Sequence, residues 1–522
     1  MPDLPSSLWI ERDLLSEVKG YIESSRRIHR RKGVFLKGMR QAGKTELINA
    51  IGRDLFKRQY YVNLLEDEKA KADLEKLLKK TTARSTGTFM DYDKRFISAM
   101  FKEYFGDQGD RSVEFIDDAD SVLFIDEIFE SRTAFGLMRW IVRGLDAQVV
   151  FSASWCGEII KMKGVFKSIG DTFRFTLNSV SFYEFLKCAD AWGAYDQIGK
   201  VTLSADDYVS IEAFANVKKY YDAYALLGGF PSVLSAYLKD NDEKKALEHI
   251  PKLYPRHRKN PALKHSPGFS GAIDASNLLF ESLVHEIREK TRGDNNLEKW
   301  ESALGIIVNG IVSGLHSSFI YDKVMEHAGE TCSKNYDNPC DELDLRHLIE
   351  WLSLSNVIVP CPILDLKNNQ YPSKYMFSDL GLLRYFCEIF KISDSMRKGF
   401  AAENFVALTD MPILDALEYP GLECFDSSVL ESPEEAIFII RTPREKTILL
   451  QARSSSSGMN SSEKKLARGE ADYVIRLTDQ LGNWNPGERI VTMPIYALDK
   501  LPMVLSRMDA GELEEKGPNA EA

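Results

Sequence analysis

The segment Gly38-Met39-Arg40-Gln41-Ala42-Gly43-Lys44-Thr45 constrains this chain more than any other feature, because it fits the spacing G-x-x-x-x-G-K-[ST]. The apolar run Gly33-Val34-Phe35-Leu36 precedes it and a helix-like stretch from Glu46 to Lys57 follows. In the order strand, loop, helix, the glycines let backbone N–H groups curl around a phosphate, and the next helix adds its positive N-terminal end. The spacing predicts a nucleotide site in which Gly38 to Thr45 cradle the phosphates. Lys44 would reach the β- and γ-phosphates, and the Thr45 hydroxyl would ligate Mg2+. A plain glycine turn is the reading against which this is weighed.

A second element supports the first. Ser121-Val122-Leu123-Phe124-Ile125-Asp126-Glu127 reads as an apolar strand ending in two carboxylates. Asp126 is expected to hold the metal's hydration shell, and Glu127 to orient or polarise an attacking water. The plainer alternative is an acidic helix start after the strand. The next strand, Gln148 to Ser154, ends in small hydroxyl residues, and Ser154 is a candidate sensor of the γ-phosphate or a routine turn serine. Strands alternating with helices from residue 33 to about 180 predict a doubly wound α/β domain with its ligand at the carboxyl ends of the strands.

At 522 residues the chain is too long for one core, so several domains are expected. Its apolar fraction of 44% and charged fraction of 28% are ordinary for globular domains. No stretch approaches the roughly 20 apolar residues of a membrane span, and the N-terminus lacks a basic-then-apolar leader, so a cytoplasmic location is expected. The net charge of −11 argues against a surface devoted wholly to nucleic acid, while a local basic patch remains compatible with it. The seven cysteines form no C-x-x-C pair and read as reduced packing residues, not zinc ligands.

As an ordered set, GMRQAGKTEL at 38–47, LFIDEI at 123–128, FSAS at 151–154, RFTLNSVSFYEF at 174–185, GGFPSVL at 228–234 and KYMFSDLGLL at 374–383 resemble a known group. It comprises prokaryotic ATPases of the AAA superfamily whose P-loop domain precedes a C-terminal domain of unknown function. The chain departs from the group in having Phe129 where a glutamine is usual, and Ala153 in place of a glycine. Arg174 stands where similar proteins carry an arginine at a strand start, which implies a catalytic charge; a solvated strand arginine is the alternative. Arg40, also typical of the group, would brace the loop or meet the nucleotide.

The resemblance and the residue patterns together predict five segments: a P-loop ATPase domain over 1–195, a helical lid and basic linker over 196–275, a winged-helix-like domain over 276–392, a small α/β domain resembling a degenerate restriction endonuclease over 393–505, and a disordered acidic tail over 506–522. Gly228-Gly229-Phe230-Pro231 must break a helix. The proline-rich basic stretch from Lys252 to His265 reads as a solvated linker. Helices near Leu304 to Gly314, Ser318 to Ala328 and Asp341 to Leu354, followed by short strands near 356–360 and 375–377, suggest the winged helix. The third of these helices is acid-rich, which favours packing or a protein partner over DNA phosphate. Asp379 reads as an N-cap. In the last domain a nuclease would need an acid near Ile437 and Glu-x-Lys on the next strand. The chain has Gln451-Ala452-Arg453 there, and Glu403 or Glu435 alone would not restore a metal site.

The function expected is an ATP- and Mg2+-dependent ATPase acting as a nucleotide-driven switch on a protein or DNA client, with no membrane partner and an oligomer left open. A nucleic-acid-binding regulator that scarcely hydrolyses ATP, and an ATP-dependent nuclease, are the alternatives.

Overall fold

The computed structural model describes residues 10–27, 32–83, 94–107, 112–154, 171–201, 211–239, 284–285, 297–313, 342–364, 373–416, 423–425, 436–452, 466, 468–478, 483–485 and 489–511. The chain divides into two compact units, Met1–Val180 with Leu354–Asn356, and Ser181–Ser353 with Val357–Ala522.

In the first unit, helix α1 (Asp13–Arg27) precedes strand β1 (Gly33–Gly38), helix α2 (Lys44–Leu55) and strand β2 (Arg58–Asn63). Helices α3 (Glu68–Ala83) and α4 (Lys94–Gly106) lead to β3 (Ser121–Asp126); α5 (Arg132–Gly136) and α6 (Met138–Gly144) lead to β4 (Gln148–Ala153), and β5 (Thr172–Leu177) closes the sheet. The strands are parallel, in the order β2-β3-β4-β1-β5. Successive side chains of β1 point to opposite faces. Val34 and Leu36 pack with Leu47, Ile48 and Ile51 of α2, whereas Phe35 packs in a second core with Tyr60, Phe101, Leu123 and Phe151. Cover on both faces explains the apolar runs Val122–Ile125 in β3 and Val149–Phe151 in β4. This is the doubly wound α/β sheet of P-loop NTPases, as expected. Because all strands run one way, Gly38, Asp126 and Ala153 finish at the same edge. At Gly38 the close approach of β5 leaves no room for a side chain: a Cβ would lie 2.3 Å from the Leu177 carbonyl oxygen.

The second unit begins with α7 (Phe182–Cys188), started by a reciprocal cap in which Ser181 Oγ accepts from Glu184 N at 3.2 Å and Glu184 Oε2 accepts from Ser181 N at 2.7 Å. Helices α8 (Trp192–Val201), α9 (Ile211–Leu227), α10 (Pro231–Lys239), α11 (Leu297–Val312) and α12 (Glu342–Leu354) follow. Then come the antiparallel strands β6 (Ile358–Leu364) and β7 (Ser373–Phe377), and helices α13 (Leu380–Ile389) and α14 (Asp394–Ala416). Strands β8 (Glu423–Phe425), β9 (Ala436–Arg441), β10 (Thr447–Ala452), β11 (Tyr473–Thr478), β12 (Asn483–Asn485) and β13 (Ile490–Pro494) join β6 and β7 in one mixed sheet ordered β12-β13-β11-β10-β9-β8-β6-β7.

Two motifs far apart in sequence meet in this unit. Gly228, at the end of α9, has φ +75°, and a Cβ there would lie 2.1 Å from Asp379 Oδ1. The carboxylate of Asp379 accepts from Gly381 N at 2.9 Å and Leu382 N at 3.0 Å, the expected N-cap of α13. Its other oxygen accepts from Gly229 N at 2.6 Å, and Arg384 Nε donates to the Leu226 carbonyl at 3.0 Å. Gly-Gly-Phe-Pro and Ser-Asp-Leu-Gly are thus the two halves of one clasp.

The acidic tail starts later than expected. Residues 506–510 continue helix α15 (Leu501–Ala510), in which Leu501, Val504, Leu505 and Met508 form a buried stripe at helical spacing. Asp509 accepts from Thr442 Oγ1 and from Arg444 N. Residues 512–522, the basic stretch from Lys252 to His265, the helix expected over Ser318 to Ala328, and Glu435 lie outside the described residues. Among the described residues no helix is long and apolar enough to cross a membrane.

Candidate functional site

The loop between β1 and α2 carries left-handed backbone at Gln41 (φ 64°) and Gly43 (φ 94°). Such turns gather neighbouring N–H groups into an anion-binding concavity at the helix start. Met39 and Ala42 are buried, while Arg40, Gln41, Gly43 and Thr45 are half-buried along the loop's mouth. Lys44, the first residue of α2, is buried and donates to the carbonyls of Gly38 (3.1 Å) and Met39 (3.0 Å) and to Ser154 Oγ (2.6 Å). Burial pushes its pKa down, and the neighbouring Glu127 and Asp126 pull it back up.

Asp126 ends β3 with both oxygens engaged. Oδ1 accepts from Ser152 Oγ and from Glu127 N at 3.0 Å. Oδ2 accepts from Tyr61 Oη at 2.6 Å and from Thr45 Oγ1 at 3.3 Å. Burial first, and then the charge of Asp126, push the Tyr61 hydroxyl's pKa up, so it remains a donor. Thr45 Oγ1 and the Asp126 carboxylate are hard oxygen donors beside the loop, and such a pair would suit Mg2+. Glu127, just past the strand, sits in left-handed backbone (φ 54°) that swings its carboxylate toward β4. Its two oxygens accept from Ser154 Oγ and from Ser154 N at 2.9 Å. Burial raises the pKa of this carboxyl, opposed chiefly by Lys44.

Lys44, Thr45, Asp126, Glu127 and Ser154 therefore form one connected polar network at the carboxyl edge of the sheet. Arg174 lies exposed on β5 opposite Phe35, its backbone three residues before the strand end at Leu177 and so about 10 Å from that end by strand rise. Phe129, the departure from the resembled group, is buried against Phe35 and Phe135 at ring distances of 5.6 and 5.4 Å.

Three residues of the site were not among the sequence candidates: Tyr61, Ser152 and Arg12. The first two are brought beside Asp126 by strand pairing, Tyr61 from β2 and Ser152 from β4. Arg12 is buried and donates to the carbonyls of Ala42 (2.9 Å) and Asn178 (2.7 Å). A polar residue near the end of each flanking strand was a signal for the first two; nothing in the sequence singled out Arg12.

In the second unit, Glu403 on α14 is buried in an ion pair with Lys374 of β7. Gln451 of β10 stands in register with Ile437 on one side and Arg476 on the other.

Comparison with known proteins finds that residues 30–186 match the family model of an AAA domain. Among solved structures, a Walker-type ATPase of Pyrococcus abyssi is similar at 14% identity and a TM-score of 0.40, over 74% of this chain and 99% of that one. The ORC1 protein of Aeropyrum pernix in complex with DNA is similar at 11% identity and a TM-score of 0.30, over 72% and 91%. The RuvB Holliday junction branch migration motor of Thermotoga maritima is similar at 11% identity and a TM-score of 0.29, over 68% and 92%. A search of curated proteins finds no match.

Proposed function

We propose that the AAA-type domain binds ATP with Mg2+ through Gly38 to Thr45, hydrolyses it with the help of Glu127, and uses the nucleotide state to switch a protein or nucleic-acid client. The observation that carries this reading is the convergence of Lys44, Thr45, Asp126, Glu127 and Ser154 on one sheet edge. Lys44 would leave Ser154 for the β- and γ-phosphates, trading a neutral acceptor for a charged one. Mg2+ would neutralise phosphate charge between Thr45 and Asp126. Tyr61 and Ser152 hold the Asp126 carboxylate in one orientation, so little reorganisation is needed when the ion arrives. Glu127 is tied to Ser154; it must turn from that serine to accept a hydrogen bond from the attacking water. Ser154 thereby links phosphate occupancy to the availability of Glu127.

Helix α12 followed by the β6–β7 hairpin supports a winged-helix reading of the second unit. The Lys374–Glu403 pair, with Gln451 beside Ile437 and Arg476, supports a nuclease-like sheet without a working metal site.

The test is steady-state phosphate release together with equilibrium ATP binding for the wild type and Glu127→Gln. Turnover should fall at least about a hundredfold in the variant, the lower end of the range for one acid–base group, with binding retained. Equal turnover would remove Glu127 from the chemistry.

A further inference from the structure

Arg12 lies thirty residues before Ala42 of the phosphate loop, yet its guanidinium reaches the loop's backbone. One terminal nitrogen donates to the Ala42 carbonyl and the other to the Asn178 carbonyl just after β5. The side chain is buried, and the residue it grips is flanked by the two left-handed positions Gln41 and Gly43. Across a planar trans peptide, C=O and the following N–H point in opposite directions. Holding the Ala42 oxygen toward Arg12 therefore turns the Gly43 N–H the other way, away from the guanidinium. Gly43 gives this peptide unusual freedom, because glycine tolerates both signs of φ. A flip would aim the Ala42 carbonyl, with its partial negative charge, where the N–H had been.

We propose that Arg12 is a positioning residue for phosphate binding: it locks the Ala42–Gly43 peptide with its N–H directed into the phosphate cradle and its carbonyl kept out. The inference rests on the reading of Gly38 to Thr45 as the ATP site. It assigns Arg12 a role in affinity, exerted through the loop backbone and not through contact with the nucleotide.

The experiment is equilibrium binding of ATP and of inorganic tripolyphosphate to the full chain, wild type against Arg12→Ala, well below the melting temperature of either. Loss of two charge-assisted hydrogen bonds should weaken both ligands about tenfold to a hundredfold. The two ligands should lose affinity by the same factor, since the effect lies at the phosphates, and ethylguanidinium at millimolar concentration should restore part of it. A variant that binds tripolyphosphate as tightly as the wild type overturns the inference. A wild type that binds neither ligand overturns the ATP-site reading, and the inference with it. If Arg12→Ala does not fold, Arg12→Lys decides the matter. A single ammonium cannot span both carbonyls in the guanidinium's planar geometry, so weakened binding supports the inference and unchanged binding refutes it.

Discussion

Replacing Asp379 by alanine should loosen the second unit more than any surface substitution. The carboxylate is 1% exposed and accepts from three backbone donors, Gly381 N, Leu382 N and Gly229 N, at 2.9, 3.0 and 2.6 Å. Loss of an N-cap costs about 1 kcal/mol. Stranding the Gly229 donor, with the loss of a charge-assisted bond, adds roughly 2 to 3 kcal/mol. The sum, about 3 to 4 kcal/mol, corresponds to a loss of protection by two to three powers of ten at about 1.4 kcal/mol per tenfold. Native-state hydrogen exchange at the amides of Gly229, Gly381 and Leu382 in the full chain reads this directly. Asp379→Ser should restore the cap to α13 but be too short to hold Gly229, recovering about 1 kcal/mol and protecting only the last two amides. If exchange at Gly229 is unchanged in Asp379→Ala, the clasp is not held by this carboxylate and the reasoning fails.

Arg58 beside Asp118 holds that carboxyl down to about 2, with Ser121 also donating to it. A depressed folded pKa contributes stability above the ordinary carboxylate value and loses it as pH falls toward 2. Asp118→Asn should therefore flatten the acid dependence of the first unit's stability between pH 4 and pH 2, followed by urea unfolding at several pH values; an unaltered slope would exclude the pair as its cause. In the second unit, Glu403→Ala leaves Lys374 buried without its carboxylate and should cost about 3 to 5 kcal/mol, whereas replacing both by apolar residues of similar volume should cost much less. Denaturant midpoints of the single and double variants check this, and equal losses would show the ion pair to be incidental.

The proposed phosphate site was legible because its pattern is written locally. Strand, glycines, lysine and helix are adjacent in sequence, and the apolar run before Asp126 announces a buried strand. Ser154 was a candidate on position alone, and its link to both Lys44 and Glu127 emerged only from the sheet order. Tyr61 and Ser152 showed only as polar residues near strand ends, and Arg12 not at all, because their roles depend on register and on a contact across thirty residues, neither of which leaves a periodic trace. Asp379 was readable as a cap from the helix it starts; its second task needed the Gly228–Gly229 turn to arrive from a distant segment. The tail was misjudged from Ser506 to Ala510 because net acidity outweighed a short apolar stripe, and that stripe, ending at Met508, is what packs. Arg174 followed the resemblance, and the register leaves it on the exposed edge strand, three residues short of the strand end.

The central claim is that Gly38 to Thr45 grip nucleotide phosphates with Lys44 as the charged contact. Calorimetric titration of ATP with Mg2+ into the wild type and into Lys44→Ala tests it most directly. Binding by the wild type, weakened at least about a hundredfold or abolished in the variant, is the predicted result, since a charge-assisted phosphate contact in a buried loop is worth roughly 3 kcal/mol. ATP binding of equal strength in the two proteins would contradict the account.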